Sequence, residues 1–177
     1  RGLPFLDISM AVSKRPYLLD VETALVTDIV HNVTYTAERG KGAHKNNQPI
    51  KPSDTALLEE AVIGVDFNIL KASQLVSRLT KLIGATKHLR HLGANALETC
   101  YVADGTTDAF VDIRGKLRVT DIAAAQLILR EAGGIITTPD RKSLNVPLEA
   151  TQKVSFIAAA NNIIYDNIRK SLQMSRG

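Results

Sequence analysis

The 177-residue sequence has no tryptophan, a single cysteine, and no apolar run of the eighteen or so residues that a membrane-spanning helix needs. One cysteine, Cys100, excludes an internal disulfide framework and every zinc site built on several thiolates. A reducing, cytoplasmic setting is therefore expected, with no membrane anchor and no secretory leader. Aromatic residues make up only 5% of the chain, which leaves few platforms for stacking bases. The formal charge of +4 is mild and forms no long basic stripe, and the few lysines and arginines between residues 39 and 51 do not amount to one. Nucleic acid is not an expected partner. Also missing are a Gly-x-x-x-x-Gly-Lys-Ser/Thr phosphate loop, a Gly-x-Gly-x-x-Gly dinucleotide turn, a His-Glu-x-x-His zinc helix and a Gly-x-Ser-x-Gly nucleophile elbow.

What is present has the balance of an ordinary globular protein, with 45% apolar and 23% charged residues and enough length for one large domain or a domain plus part of another. Residues 7 to 30 are short-patterned and β-rich, His31-Asn32 signals a turn, and Val33 to Ala37 alternate like a half-buried strand. Arg39-Gly-Lys-Gly precedes no helix and reads as a turn, followed by a short strand at Ile50. Consecutive short strands of this kind predict an antiparallel sheet, and Pro52-Ser53 marks a boundary, giving one domain over 1–54 and another over 55–177. Beyond that point the rhythm becomes mixed α/β. Strands are expected at residues 61–66, 109–113, 135–138 and 154–159, and helices at residues 73–82, 93–101, 122–132 and 163–172, with a polar tail after the last.

The helix over residues 122–132 is the best defined. Thr120 and Asp121 are both good N-cap residues, and Gly133-Gly134 can turn the chain out through left-handed geometry. A carboxylate at such a mouth sits where phosphate and a bound cation can meet, although capping alone would also explain Asp121. Further chemistry gathers around it. Arg90 stands just before Gly93, which opens a helix, and Asp112 and Arg114 fall at a strand end. Guanidiniums and helix N-termini suit phosphate or sugar hydroxyls, whereas ordinary surface ion pairs are the plainer reading. His88 and His91 have no adjacent acid or cysteine and read as solvent-facing, and Cys100 reads as packing.

The spacing of these blocks resembles one family. Arg90-x-x-Gly93, Ala96-Leu-Glu-Thr-Cys-Tyr-Val-Ala-Asp-Gly105, Asp108-Ala-Phe, Thr120-Asp-Ile-Ala-Ala-Ala and Arg130-Glu-Ala-Gly-Gly resemble the C-terminal signature of the inositol monophosphatase family. Leu3-Pro-Phe-Leu-Asp-Ile-Ser and Tyr35-Thr-Ala-Glu-Arg-Gly-Lys-Gly-Ala43 resemble the same family upstream, and Asp112-Ile-Arg-Gly-Lys-Leu-Arg118 looks most like archaeal members active on both inositol monophosphate and fructose-1,6-bisphosphate. The resemblance implies a layered α-β-α-β-α fold and a Mg²⁺-dependent phosphomonoesterase, homodimeric when complete. It implies Asp121 as a metal ligand and Arg90, Gly93, Ala94, Asn95, Asp112 and Arg114 around a sugar or inositol phosphate, with Arg118 a weaker candidate. Three positions depart from the family pattern. Ala94 stands where Ser or Thr is usual, Asn95 where a small residue is usual, and Thr120 where an aromatic often precedes the acid. The family's Asp-Pro-Ile-Asp-Gly-Thr segment and an earlier Glu, which hold most of the metal, have no counterpart here. Arg1-Gly-Leu-Pro resembles the residues directly after that segment, so the chain is expected to be the C-terminal part of such a fold, inactive alone, with an apolar sheet face that the missing half should cover. The alternative is a truncated, non-catalytic sugar-phosphate-binding or interaction module.

Overall fold

The computed structural model describes residues 4–68 and 73–172; Arg1-Gly-Leu of the opening resemblance and the polar tail from residue 173 lie outside them. Five short strands follow one another: β1 (Asp7–Ser13), β2 (Val21–Asp28), β3 (Val33–Glu38), β4 (Ala43–Lys45) and β5 (Gln48–Pro49). They form an antiparallel meander in that order. Its tight turns are made by residues that tolerate left-handed geometry, Asn32 after β2, Gly40 and Gly42 after β3, and Asn46-Asn47 after β4. Arg39-Gly-Lys-Gly is thus a structural turn, with Arg39 donating to the carbonyl of Val21 at 2.5 Å and pairing with Glu22 at 2.8 Å. The strand expected at Ile50 ends one residue earlier, because Pro49 closes the pairing and Ile50 only returns its N–H to Ala43.

The alternation of strands and helices predicts an α/β layer, and the second sheet is mixed, two of its pairs parallel and two antiparallel. Its order is β7 (His88–Arg90), β6 (Val62–Val65), β8 (Ala109–Arg118), β10 (Lys153–Ala159) and β9 (Ile135–Thr137), with β6 parallel to both neighbours and the remaining pairs antiparallel. The three-residue edge strand β7 has no apolar alternation and is not foreshadowed by the sequence. Four helices complete the chain: α1 (Ser73–Ala85), α2 (Asn95–Ala103), α3 (Ala123–Glu131) and α4 (Asn162–Ser171). α1 buries Leu75, Leu79 and Leu82, α4 buries Ile164, Tyr165 and Ile168, and together they cover one face of the second sheet. The Asn161 side chain caps α4 by accepting from the N–H groups of Ile163 and Ile164, both at 3.0 Å.

α2 and α3 lie between the two sheets. Every residue of α3 from Ala123 to Leu129 is buried, as a helix walled on both sides must be, and its alanines let both sheets approach. On one side it meets Val21, Ala24, Val26, Tyr35 and Ala37 of the first sheet; on the other it meets the β8 and β10 side chains Phe110, Phe156 and Ala158. The described residues thus fill four layers, sheet, helices, sheet, helices. A polar staple fixes α2: buried Tyr35 donates to Asp104 just beyond the helix at 2.8 Å, and Lys45 pairs with the same carboxylate at 2.6 Å.

Among the described residues nothing covers the outer face of the first sheet. Strand alternation sends Asp7, Ser9 and Ser13 inward and leaves Ile8, Met10 and Val12 51%, 61% and 64% exposed, next to Leu6 at 58%. β1 is also an edge, with one side of its backbone unpaired. A continuous apolar ridge on an open edge drives self-association. The Ile8→Ser/Met10→Ser double variant is expected to reduce binding of a hydrophobic dye several-fold and to shift sedimentation toward the monomer. Unchanged sedimentation would show that this ridge is not a contact surface.

Candidate active site

The turn into α2 is built on glycine. Gly93 has φ of +79°, and a Cβ there would meet nothing within 4 Å, so the glycine is required by conformation and not by space. Gly93→Ala should therefore cost about 1 kcal/mol in chemical denaturation, with no local repacking; a neutral result would show that the turn relaxes. Ala94, the N-cap, has no side chain that can cap. Glu98, one turn on, instead holds the turn that leads into the helix, its carboxylate accepting from the N–H groups of Leu92 at 3.4 Å and Gly93 at 3.1 Å. Glu98 is only 3% exposed. Its burial pushes it up to about 7, the N–H groups of Leu92, Ala94 and Gly93 opposing the rise and nearby Asp66 adding to it.

The outer side of this turn lines a polar cleft of about 420 Å³. Gly93, Ala94, Asn95 and Ala96 form one wall, Thr120 and Asp121 another, and Asp7 and Ser9 of β1 the third. Of the seven residues that the sequence assigns to the site, Gly93, Ala94, Asn95 and Asp121 meet here. Asp121 does not cap a helix. It ends a short 3₁₀ turn, Val119–Asp121, and α3 begins at Ala123 with Ile122 as an N-cap that makes no side-chain bond. Its carboxylate faces Arg118 instead, Arg118 Nε and Nη2 each lying 3.1 Å from one oxygen. Both side chains are solvated, 57% and 33% exposed, so this pairing is weak.

Asp112 and Arg114 are placed elsewhere. They lie inside a ten-residue strand and not at its end, on the same face because they are two apart. Arg114 Nε and Nη2 bind both oxygens of Asp112 at 2.9 and 2.6 Å, Nη2 also reaches Asp66 at 2.7 Å, and Nη1 donates to the carbonyl of Asn68 at 3.0 Å. Against burial, which works the other way, these carboxylates raise the Arg114 pKa. All three charged groups are buried. Neither residue lines the cleft. Arg90 is on β7 and lines a separate pocket of about 230 Å³ with Val62, Gly64, Leu92, Glu98 and Tyr101. His88 and His91 are exposed, as expected, His91 standing 3.8 Å from Asp66, and Cys100 is buried in packing.

Asp7 and Ser9 are not singled out by the sequence. The signal for them is the alternation in β1, which sets Asp7 and Ser9 on one face and Ile8, Met10 and Val12 on the other. Burial and the cross-strand neighbour Asp28 push Asp7 up, its own backbone N–H offsets part of this, and Asp121 adds to it. The cleft therefore holds two carboxylates that sense each other. Asn95 adds a side-chain oxygen, Oδ1, that is buried and has no hydrogen-bond partner among the described residues. No group of three or more His, Cys, Asp or Glu side chains suited to a metal occurs among the described residues. The carboxylates of Asp121 and Asp7 are hard oxygen donors of the kind Mg²⁺ takes, and two carboxylates do not by themselves fix a pair of metals.

Comparison with known proteins agrees with this architecture. A model described as the inositol monophosphatase family matches residues 9–176. The fructose-1,6-bisphosphatase/inositol-1-monophosphatase of Methanothermobacter thermautotrophicus is 33% identical over 180 residues, covering 98% of this chain and 63% of the relative. A bifunctional NADP phosphatase/NAD kinase of Methanococcus maripaludis is 35% identical over 144 residues, 79% of this chain and 25% of that one. Among solved structures, a Pyrococcus horikoshii protein described as having similarities for inositol-1 monophosphatase superposes with a TM-score of 0.83 at 36% identity, over 96% of this chain and 63% of that one. The chain thus spans a little under two thirds of that structure and of the Methanothermobacter relative. With its antiparallel sheet, central helix layer and mixed sheet all matched, the chain belongs to the inositol monophosphatase family.

Proposed function

We propose that this chain supplies the sugar-phosphate wall of a Mg²⁺-dependent phosphomonoesterase acting on inositol monophosphate, fructose-1,6-bisphosphate or both. The observation that carries the reading is the single cleft in which the N-terminus of α2 faces the carboxylates of Asp121 and Asp7. The α2 N–H groups and the positive end of the helix dipole receive the phosphate, and Asn95 orients a hydroxyl or a metal-bound water through its free Oδ1. Asp121 holds the cation, with Asp7 beside it. Mg²⁺ bound there would neutralise phosphoryl charge and activate water for attack. The resemblance places further metal-binding acids in a segment upstream of residues like these, and the bare outer face of the first sheet offers that segment an apolar surface to cover. Arg90, Asp112 and Arg114 support the fold around the cleft, with substrate contact as their proposed role once the remaining acids are in place.

The test is release of phosphate from inositol 1-phosphate and from fructose-1,6-bisphosphate, with Mg²⁺ or with chelator, by the 177-residue chain and by any longer gene product that contains it. Mg²⁺-dependent release by the longer protein is expected. No release in any arm would remove the reading. The absence of a three-acid group among the described residues favours a second reading, a sugar-phosphate-binding module without catalysis. Calorimetry with the same two phosphates on the 177-residue chain separates them, binding without turnover in every protein tested being the signature of the module.

A further inference from the structure

The turn from Arg90 to Glu98 separates two cavities. Gly93 to Ala96 line the polar cleft with Asp121, while Arg90, Leu92 and Glu98 line the smaller pocket behind it. Glu98 spans the turn from the rear, its carboxylate bonded to the N–H groups of Leu92 and Gly93, and among the described residues no side chain caps the helix itself. Its seat is shaped for it. A Cβ on Gly64 of β6 would lie 2.9 Å from the Phe110 ring and 3.1 Å from the Glu98 oxygen, so a side chain at 64 would displace the ring and press on the carboxyl. Resting on the proposed phosphate-binding role of the cleft, we infer that Glu98 is a positioning residue: from behind, its carboxyl clamps the Leu92-Gly93 turn and thereby sets the α2 N-terminus where the cleft receives phosphate.

A carboxylate accepts from both N–H groups with charge assistance, and the neutral acid holds them less firmly. The groups that face Glu98 are Asp66, which disfavours its charge, Arg114, which favours it, and Arg90 and Tyr101, which line the same pocket; His91 stands beside Asp66. With Glu98 up at about 7, the clamp is tight above that pH and slackens below it. The cleft wall should loosen with it, although none of the residues on that wall carries the proton.

The experiment is a pH titration of backbone amide resonances in the 177-residue chain. Leu92 and Gly93 report the clamp, and Asn95 and Ala96 report the cleft wall. All four should titrate with one midpoint near pH 7 in the native sequence and lose that transition in Glu98→Gln. His91→Asn and Asp7→Asn should both keep it, which separates Glu98 from the neighbouring imidazole and from the raised carboxyl in the cleft even if Glu98→Gln fails to fold. Inorganic phosphate titrated at pH 8 should bind about tenfold more weakly to Glu98→Gln than to the native chain, a factor that one lost charge-assisted bond accounts for. Asn95 and Ala96 that stay flat while Leu92 and Gly93 titrate would reduce Glu98 to a local cap and overturn the inference. So would loss of the transition in His91→Asn or Asp7→Asn. Phosphate that binds neither protein counts against the proposed cleft function, and the amide titration then decides the clamp by itself.

Discussion

Arg114→Met is expected to destabilise the protein by about 3–5 kcal/mol, the loss seen when one partner of a buried ion pair is removed. Arg114 is the only cation among the described side chains bonded to Asp112, and it holds Asp66 at the same time. Asp112 is 0% exposed and Asp66 3%, so without the guanidinium two carboxylates face each other away from water. The methionine fills most of the vacated volume, which isolates the charge effect from cavity formation. Replacing all three together, with Asp66→Asn, Asp112→Asn and Arg114→Met, should recover more than half of the loss, because the cost lies in the unpaired charges. Chemical denaturation reads both quantities. A loss below about 1 kcal/mol in the single variant would mean that water reaches the trio in solution.

The same trio shows where sequence stops being informative. Asp112 and Arg114 are two apart, and in a strand that spacing already places them on one face, so their mutual bond is legible. What the spacing cannot show is that β6 runs parallel beside β8, Val65 opposite Val111, and so delivers Asp66 to the same guanidinium. That third contact turns a surface pair into a buried network. α3 is legible for the opposite reason: its whole identity lies in nine consecutive residues and the glycines after them. Its start is misplaced by sequence because Thr120 and Asp121 are good caps in isolation, and the 3₁₀ turn that absorbs them depends on Val119 being drawn into the core. Asp7 is hidden by its neighbours. Ile8, Met10 and Val12 suggest a core-facing strand, and only the sheet's position shows that the polar face is the inner one. Glu98, which shares its helix with the polar Asn95 and Thr99, carries no local sign of burial.

Asp121 is the residue at which structure and proposed chemistry can be separated most cleanly. Its only side-chain partners among the described residues are Arg118, on solvated geometry, and the Thr120 hydroxyl at 3.4 Å. Asp121→Asn should therefore change stability by less than about 1 kcal/mol. If Asp121 holds Mg²⁺, the same change should cut Mg²⁺-dependent turnover of a competent longer gene product by roughly 100-fold or more, because the amide has lost the charge that a hard cation requires. Arg118→Gln is the counter-test. Arg118 competes for both oxygens of Asp121, so removing it should tighten Mg²⁺ binding several-fold in calorimetry on the 177-residue chain, where Asp121→Asn weakens it. A structural salt bridge makes the opposite forecast, since each partner's loss would then have the same small effect. Two substitutions in one ion pair that move metal affinity in opposite directions, with stability unmoved in both, are what a carboxylate shared between metal and guanidinium predicts. Native turnover in Asp121→Asn would leave Asp121 as the partner of Arg118 and nothing more.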